Sequence, residues 1–100
     1  MNIPEDLRYS EDHEWVRLES EKHVRVGITD YAQDALGDVV FVELPTVGTS
    51  FKVGDVLGEV ESSKSVSELF APLVGIVVEV NDLLETVPEK INEDPYGEGW

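Results

Sequence analysis

The chain has 100 residues, 41% of them apolar, which predicts one small domain with a modest core. Its 22 acidic and 7 basic side chains give a net charge of -15. This charge argues against nucleic acid or an anionic membrane as a partner, and it suits either solubility or a basic protein surface. Because the chain has no cysteine, disulfides, thiolate metal sites and cysteine nucleophiles are excluded.

The sequence also lacks features of export. The first six residues have neither the basic region nor the apolar region of a signal peptide, and they do not resemble an Arg-rich transit peptide. No apolar run is long enough to span a bilayer. We therefore expect a soluble monomer in a bacterial or archaeal cytoplasm, or in the mitochondrial matrix if a transit peptide has been removed.

The first half of the chain predicts a hairpin followed by a helix. Residues 15–19 and 24–28 alternate apolar and polar side chains, and residues 21–22 supply a turn between them. Residues 30–33 have the acid-to-glutamine spacing of a capping box, and Gly37 can end the helix that follows. The pattern therefore indicates an antiparallel hairpin and one short helix.

The next segments predict mainly strands. Residues 38–44 are too apolar for simple alternation, which is typical of a strand buried on both faces, and Pro45 would stop it. Short strands are expected on either side of Phe51. Residues 76–80 are the last predicted strand, and residues 83–85 can form a helical turn.

The most informative segment predicts a β-hairpin with Lys64 in its turn. Residues 54–60 and 66–70 carry the apolar side chains of two strands, and serines surround the lysine between them. A lysine in such a turn has its amine in solvent, where an enzyme can reach it. Lys64 is therefore a candidate attachment point. The apolar runs after Gly54 and Gly75 are similar to each other, which resembles the pseudo-twofold barrel of lipoyl and biotinyl carrier domains.

Other chemistry finds no support in the sequence. His13 and His23 are the only histidines, and without cysteine they do not predict a structural zinc site. Residues 92–97 fail as a calcium loop because Pro95 stiffens the segment and the twelfth position lies beyond the chain. The glycines form no phosphate-binding fingerprint, and no Ser/His/Asp set can be placed in one site. We therefore expect no metal site and no catalytic residues.

Several segments together resemble the glycine cleavage H-protein family. The resemblance follows family order over nearly the whole chain, in residues 13–16 (HEWV), 26–33 (VGITDYAQ), 36–45 (LGDVVFVELP), 60–65 (VESSKS) and 92–100 (NEDPYGEGW). It implies a mostly β fold, namely a flattened barrel or sandwich of two small antiparallel sheets, of the lipoyl/biotinyl-carrier hammerhead type, with one or two short helices. It also implies a single carrier domain over residues 1–100, to which family members usually add a C-terminal strand and helix that are absent from this sequence.

The same resemblance implies a carrier rather than an enzyme. Lipoic acid would be joined to Lys64 by an amide, after action of a lipoate-attaching enzyme. The arm would take an aminomethyl group from a pyridoxal-phosphate glycine decarboxylase to a tetrahydrofolate-dependent aminomethyltransferase, and dihydrolipoamide dehydrogenase would reoxidise it. The resemblance further places Asp12, Glu14 and Glu68 near a cleft that shelters the loaded arm.

Three alternatives remain at this point. The lysine motif also suits a lipoyl domain of a 2-oxoacid dehydrogenase complex, although the His-Glu-Trp segment and the lack of a linker or catalytic domain argue against it. A lipoate-relay protein of the same fold is the second, and an autonomous enzyme the third. Biotin is disfavoured because biotinyl domains typically flank their lysine with methionines, whereas the only methionine here is Met1.

Overall fold

A computed structural model describes the protein from residue 3 to residue 100. Short strands dominate the chain, and three short helices interrupt or follow them. The elements in chain order are β1 (Arg8–Tyr9), β2 (Glu14–Leu18), β3 (Val24–Ile28), α1 (Asp30–Leu36), β4 (Val39–Glu43), β5 (Ser50–Phe51), β6 (Val56–Ser62), β7 (Val66–Phe70), β8 (Gly75–Ile76), α2 (Leu83–Thr86) and α3 (Lys90–Glu93).

The strands form three small antiparallel sheets, ordered β1-β2-β3, β4-β6-β7 and β5-β8. The predicted mostly β class is confirmed, but the strands of residues 3–100 make three sheets rather than two, and they do not close into a barrel. The physical reason is the turn after Pro45, where Gly48 has a φ of 94° and the Thr49 N–H donates to the Thr46 carbonyl at 3.1 Å. This turn separates β5 from β4, so β5 pairs with β8 instead.

The predicted hairpins are confirmed, and the helices differ in detail. The N-cap of α1 is Thr29, one residue before the predicted capping box, and its side chain accepts a hydrogen bond from the Ala32 N–H at 3.1 Å. Gly37 ends α1 as predicted, with a φ of 85°. The described residues contain three helices rather than one or two, because the four-residue α3 fits between two prolines.

Two predicted strands need correction. The strand expected over residues 76–80 is limited to β8, since after it only Val77 continues the pairing, by donating from its N–H to the Thr49 carbonyl at 2.9 Å. The strand predicted to be buried on both faces is β4, in which Val40 and Phe41 are exposed. The cause is an irregularity in its pairing with β6 between Val39 and Phe41, as in a β-bulge.

The core consists of two clusters of buried side chains. The larger joins β3, β4, β6 and the last two helices, through Ile28, Val39, Val42, Val60, Leu84 and Ile91. The smaller centres on Trp15, which has no exposed surface and whose indole N–H donates to the Pro95 carbonyl at 2.9 Å. Gly27 lies directly under the Trp15 ring, where a Cβ would come within 2.6 Å of the indole. The indole therefore ties the first sheet to the C-terminal segment.

Candidate functional site

The turn that presents Lys64 is organised by one serine. The Ser62 side chain is buried, and its hydroxyl oxygen accepts hydrogen bonds from the backbone N–H groups of Lys64 and Ser65, each at 3.1 Å. The same hydroxyl donates to the Ser65 carbonyl at 3.2 Å, and the Ser62 N–H donates to that carbonyl at 2.8 Å. Lys64 itself is exposed at the tip. The turn is therefore fixed from within while the lysine remains accessible.

A second set of contacts fixes the hairpin tip against the loop between α1 and β4. The Ser63 N–H donates to the Asp38 carbonyl at 3.0 Å. The stem of Lys64 lies over Gly37, so that a Cβ added at Gly37 would be 2.7 Å from Lys64 Cε. Glycine is thus required here twice, for its φ of 85° and for the space that the lysine stem occupies.

A cavity of about 220 Å³ lies between the hairpin, α1 and the start of β2. Three acidic residues, Asp12, Glu14 and Glu68, belong to its lining, so the structure brings the three predicted cleft residues together. Leu36, the neighbour of Gly37, also belongs to the lining. Lys64 is not itself a lining residue, but its stem lies over Gly37, which follows Leu36 in the chain.

Glu14 is the buried member of this group, with only 1% of its surface exposed. One carboxylate oxygen accepts from the Ser10 hydroxyl at 3.1 Å, and the other accepts from the Phe70 N–H at 2.8 Å, on the free edge of β7. Burial raises the pKa of the Glu14 carboxyl above its ordinary value, against the lowering effect of these two hydrogen bonds, and nearby Asp12 raises it further. Glu14 thus joins the first sheet to the lysine hairpin. Its burial disfavours the ionised form of the carboxyl group.

The other two carboxylates are exposed to solvent. Asp12 belongs to the turn before β2, and Glu68 pairs across the sheet with Glu59. The ion pairs of the described residues involve only Glu19, Glu79 and Glu93 as acids, so none neutralises this cavity. A cavity lined by acidic residues favours a positively charged ligand.

Sequence reasoning missed the aromatic pair at this cavity. The rings of His13 and Tyr31 lie 4.6 Å apart and both residues line the cavity. His13 has a φ of 61°, which is uncommon for a non-glycine residue. The only signal in the sequence is that His13 and Tyr31 both belong to segments of the family resemblance, residues 13–16 and 26–33. Their proximity depends on the contact between the turn before β2 and α1, which periodicity does not show.

A larger cavity of about 560 Å³ lies elsewhere, between β3 and the segment around β8. Its lining is mainly aliphatic and includes none of residues 61–68. The smaller cavity is therefore the candidate site, because its lining includes Asp12, Glu14 and Glu68 and because it lies against the hairpin that carries Lys64.

Two further observations concern metal binding and membrane spanning. Residues 3–100 contain no group of three or more His, Asp or Glu side chains placed to hold a metal ion. In the same range, no helix is long and apolar enough to cross a membrane.

Comparison with known proteins decides the family. Residues 7–100 match the family model described as "Glycine cleavage H-protein". The chain belongs to this family. Among relatives, the "Glycine cleavage system H protein" of Anaeromyxobacter sp. strain K is 63% identical over 100 residues, which are 100% of this chain and 77% of the relative. The protein of the same name from Mycobacterium tuberculosis H37Ra is 59% identical over 99 residues, covering 99% of this chain and 74% of the relative.

A solved structure of the same family has the same fold. The crystal structure of a glycine cleavage system H protein from Mycobacterium marinum matches with a TM-score of 0.90 and 50% sequence identity. The match covers 98% of this chain and 81% of that chain. The resemblance inferred from the sequence is thus confirmed, and an H protein is favoured over a lipoyl domain of a 2-oxoacid dehydrogenase complex.

The buried carboxylate of this H-protein chain should give its stability a pH dependence. Because the pKa of Glu14 is raised in the folded state, the folded protein binds this proton more tightly than the unfolded chain. The resulting stabilisation is complete below the ordinary pKa of the group and is lost as the pH rises through the raised value. Wild type should therefore lose stability relative to Glu14→Gln as the pH rises from below the ordinary pKa of a glutamate side chain to neutral.

Urea denaturation of both proteins over this pH range measures the difference. The glutamine oxygen can still accept from the Phe70 N–H, so the variant keeps the contact but not the titration. Glu5→Gln, which removes an exposed carboxylate, is the control for lost surface charge. A difference between wild type and Glu14→Gln that stays constant with pH would contradict the prediction.

Proposed function

We propose that this protein carries a lipoyl group on Lys64 and transports an aminomethyl group within the glycine cleavage system. The group would pass from a pyridoxal-phosphate glycine decarboxylase to the tetrahydrofolate-dependent aminomethyltransferase, and dihydrolipoamide dehydrogenase would reoxidise the carrier. The observation that carries the proposal is the position of Lys64, exposed on an anchored hairpin tip beside an acidic cavity, in a chain of the H-protein family. The bacterial relatives favour a bacterial cytoplasm.

The residues present fit the attached group. Lys64 is exposed, and the ion pairs of the described residues do not include its amine. In the attachment step its nitrogen, after loss of a proton from the ammonium, would attack the carboxyl carbon of an activated mixed anhydride such as lipoyl-adenylate. The amide bond forms, the acyl–phosphate bond breaks, AMP leaves and the lysine proton passes to solvent. The attached group would supply two sulfurs, which the cysteine-free polypeptide lacks.

The protein's own contribution is to fix the origin of the arm. The Ser62 hydroxyl and the Asp38 carbonyl hold the turn, so the arm starts from one position relative to the cavity. A fixed origin raises the effective concentration of the arm's end at a docked active site. The protein performs no chemistry of its own in this proposal and acts as a carrier component.

The acidic cavity would protect the cationic cargo. An aminomethyl group on sulfur is a cation that loses ammonia in water, and nearby carboxylates favour its charged form. Glu14 would contribute most, because its charge is buried and lacks an ion-pair partner among the described residues. Asp12 and Glu68 would add charge at the exposed side of the same cavity.

Removing these carboxylates should accelerate ammonia release. Wild type, Glu14→Gln and Glu68→Gln are lipoylated, loaded with aminomethyl and followed without the transferase. We expect several-fold faster release from the variants, because each unit of lowered ammonium pKa increases the neutral form about tenfold. Glu59→Gln is the matched control, since Glu59 pairs with Glu68 but does not line the cavity. Release at the wild-type rate from both variants would mean that these carboxylates do not shelter the cargo.

Reconstitution tests the proposed function as a whole. The lipoylated protein is combined with glycine, the decarboxylase, the aminomethyltransferase, tetrahydrofolate, dihydrolipoamide dehydrogenase and NAD⁺, and NADH formation is measured. NADH should form in proportion to lipoylated protein and not with the unmodified chain. Equal rates with unmodified protein would exclude a carrier role.

A further inference from the structure

The pairing irregularity in β4 exposes two neighbouring apolar side chains. Val39 and Val42 are buried, whereas Val40 and Phe41 between them are each 55% exposed. A β-bulge adds a residue to one strand and redirects its side chains, and bulges occur frequently beside functional sites. Phe41 is therefore exposed because of the irregular pairing of β4 with β6. The apolar sequence around it does not by itself predict an exposed residue.

These side chains lie beside the lysine hairpin. Phe41 pairs with Glu61 on β6, and Glu61 pairs with Val66 on β7, which is 56% exposed. Directly paired residues of antiparallel strands place their side chains on the same face at about 5 Å. We call Val40, Phe41, Glu61 and Val66 the tip face. Its two members on the hairpin strands, Glu61 and Val66, lie within three residues of Lys64.

The tip face and the lysine form one unit. Val39 pairs with Ser62, and the Ser63 N–H donates to the Asp38 carbonyl at 3.0 Å, so the start of β4 is joined to the hairpin tip. The amine of an unmodified lysine is only one side-chain length from the backbone of the turn. An enzyme that modifies this amine must therefore bring its own surface close to the turn. We therefore expect such an enzyme to contact the tip face.

The charges around the tip face are acidic. Glu43, Glu59 and Glu68 pair in a row across the three strands, on the same side as Phe41. The complementary surface of a partner would therefore carry an apolar recess with basic side chains at its border.

We propose that the tip face is the docking surface of the enzyme that attaches lipoate to Lys64. This inference rests on the proposed function. The attaching enzyme is the partner that must handle the bare amine, whereas enzymes acting on the finished arm work at its far end. Phe41 would fill the partner's apolar recess, and the acidic row would face its basic border.

The experiment measures lipoyl transfer to the full chain by a lipoate–protein ligase with ATP and lipoate. Initial rates are followed by intact mass over a range of carrier concentrations for wild type, Phe41→Thr and Val66→Thr. Val56→Thr is the matched control, because Val56 lies at the opposite end of the same hairpin and is 50% exposed. Thermal unfolding of each variant verifies that it remains folded.

We expect the KM of the ligase to rise roughly tenfold for Phe41→Thr, since burying such a side chain gains at least about 1.4 kcal/mol. Val66→Thr should raise the KM by a smaller factor, Val56→Thr should leave it unchanged, and kcat should change little throughout. A change in kcat alone would mean that these residues shape the turn, and would overturn the docking proposal.

The remaining outcomes are also decisive. A wild-type KM in Phe41→Thr and Val66→Thr, with Lys64 still modified, would refute the docking surface and leave the proposed function intact. A wild-type dimer in sedimentation that Phe41→Thr abolishes would assign the face to a second copy and overturn the proposal. Wild-type protein that is not modified on Lys64 would contradict the proposed function, and the docking proposal with it.

Discussion

Replacing Lys64 with arginine is expected to abolish lipoyl attachment and all carrier activity. A guanidinium stays protonated and cannot form the required amide under these conditions. Lys64 is exposed and the contacts of its turn involve backbone groups, so the fold should be unaffected, with a change of less than about 0.5 kcal/mol in the free energy of unfolding. Intact mass after treatment with ligase measures attachment, and urea denaturation measures stability.

Lys52→Arg is the matched control for this substitution. Lys52 is also an exposed lysine, but it lies in the turn between β5 and β6, away from the hairpin tip. This variant should be lipoylated like wild type. Peptide mapping that finds lipoyl on Lys22, Lys52 or Lys90 of the wild-type protein would show that the attachment site is wrong.

Replacing Trp15 with alanine is expected to cause the largest loss of stability. Trp15 is completely buried, packs with Leu7 and Tyr96, and donates its indole N–H to the Pro95 carbonyl at 2.9 Å. Truncating a buried tryptophan leaves a cavity and costs about 3–5 kcal/mol. This is a large part of the ~5–15 kcal/mol by which small domains are stable. Urea denaturation followed by circular dichroism measures the effect.

Two variants define the origin of this loss. Leu18→Ala removes an exposed side chain from the same strand and should change stability by less than about 0.5 kcal/mol. Trp15→Phe keeps a ring but removes the N–H donor, which should cost about 1 kcal/mol for the hydrogen bond in addition to lost packing. If Trp15→Ala lost less than about 1 kcal/mol, the indole would not be what joins the first sheet to the C-terminal segment.

The local elements were predictable because their signals are local. The alternation in residues 24–28 and the serines around Lys64 depend on neighbours a few positions away. The predicted N-cap of α1 is one residue late, because Thr29 and Asp30 both have side chains that suit an N-cap. Only the backbone conformation of Thr29, the residue before Asp30, distinguishes the two candidate N-caps.

The candidate site required tertiary structure. The exposure of Phe41 follows from the pairing of β4 with β6, which hydrophobicity alone interprets as burial on both faces. Glu14 contacts the backbone of Phe70, which lies 56 positions later in the chain. Gly37 could be predicted as a helix end from the sequence, but its second role beneath the Lys64 stem arises from packing. Such contacts leave no periodic signal.

Transfer of the cargo onto Lys64 is the most direct test of the account. The lipoylated wild-type protein is incubated with glycine and the decarboxylase, and its intact mass and peptide map are recorded, with Lys64→Arg treated in parallel. We predict that wild type gains one aminomethyl group on the peptide containing Lys64, only when both glycine and the decarboxylase are present, and that Lys64→Arg gains none. No gain by wild type, or an equal gain by Lys64→Arg, would contradict the account.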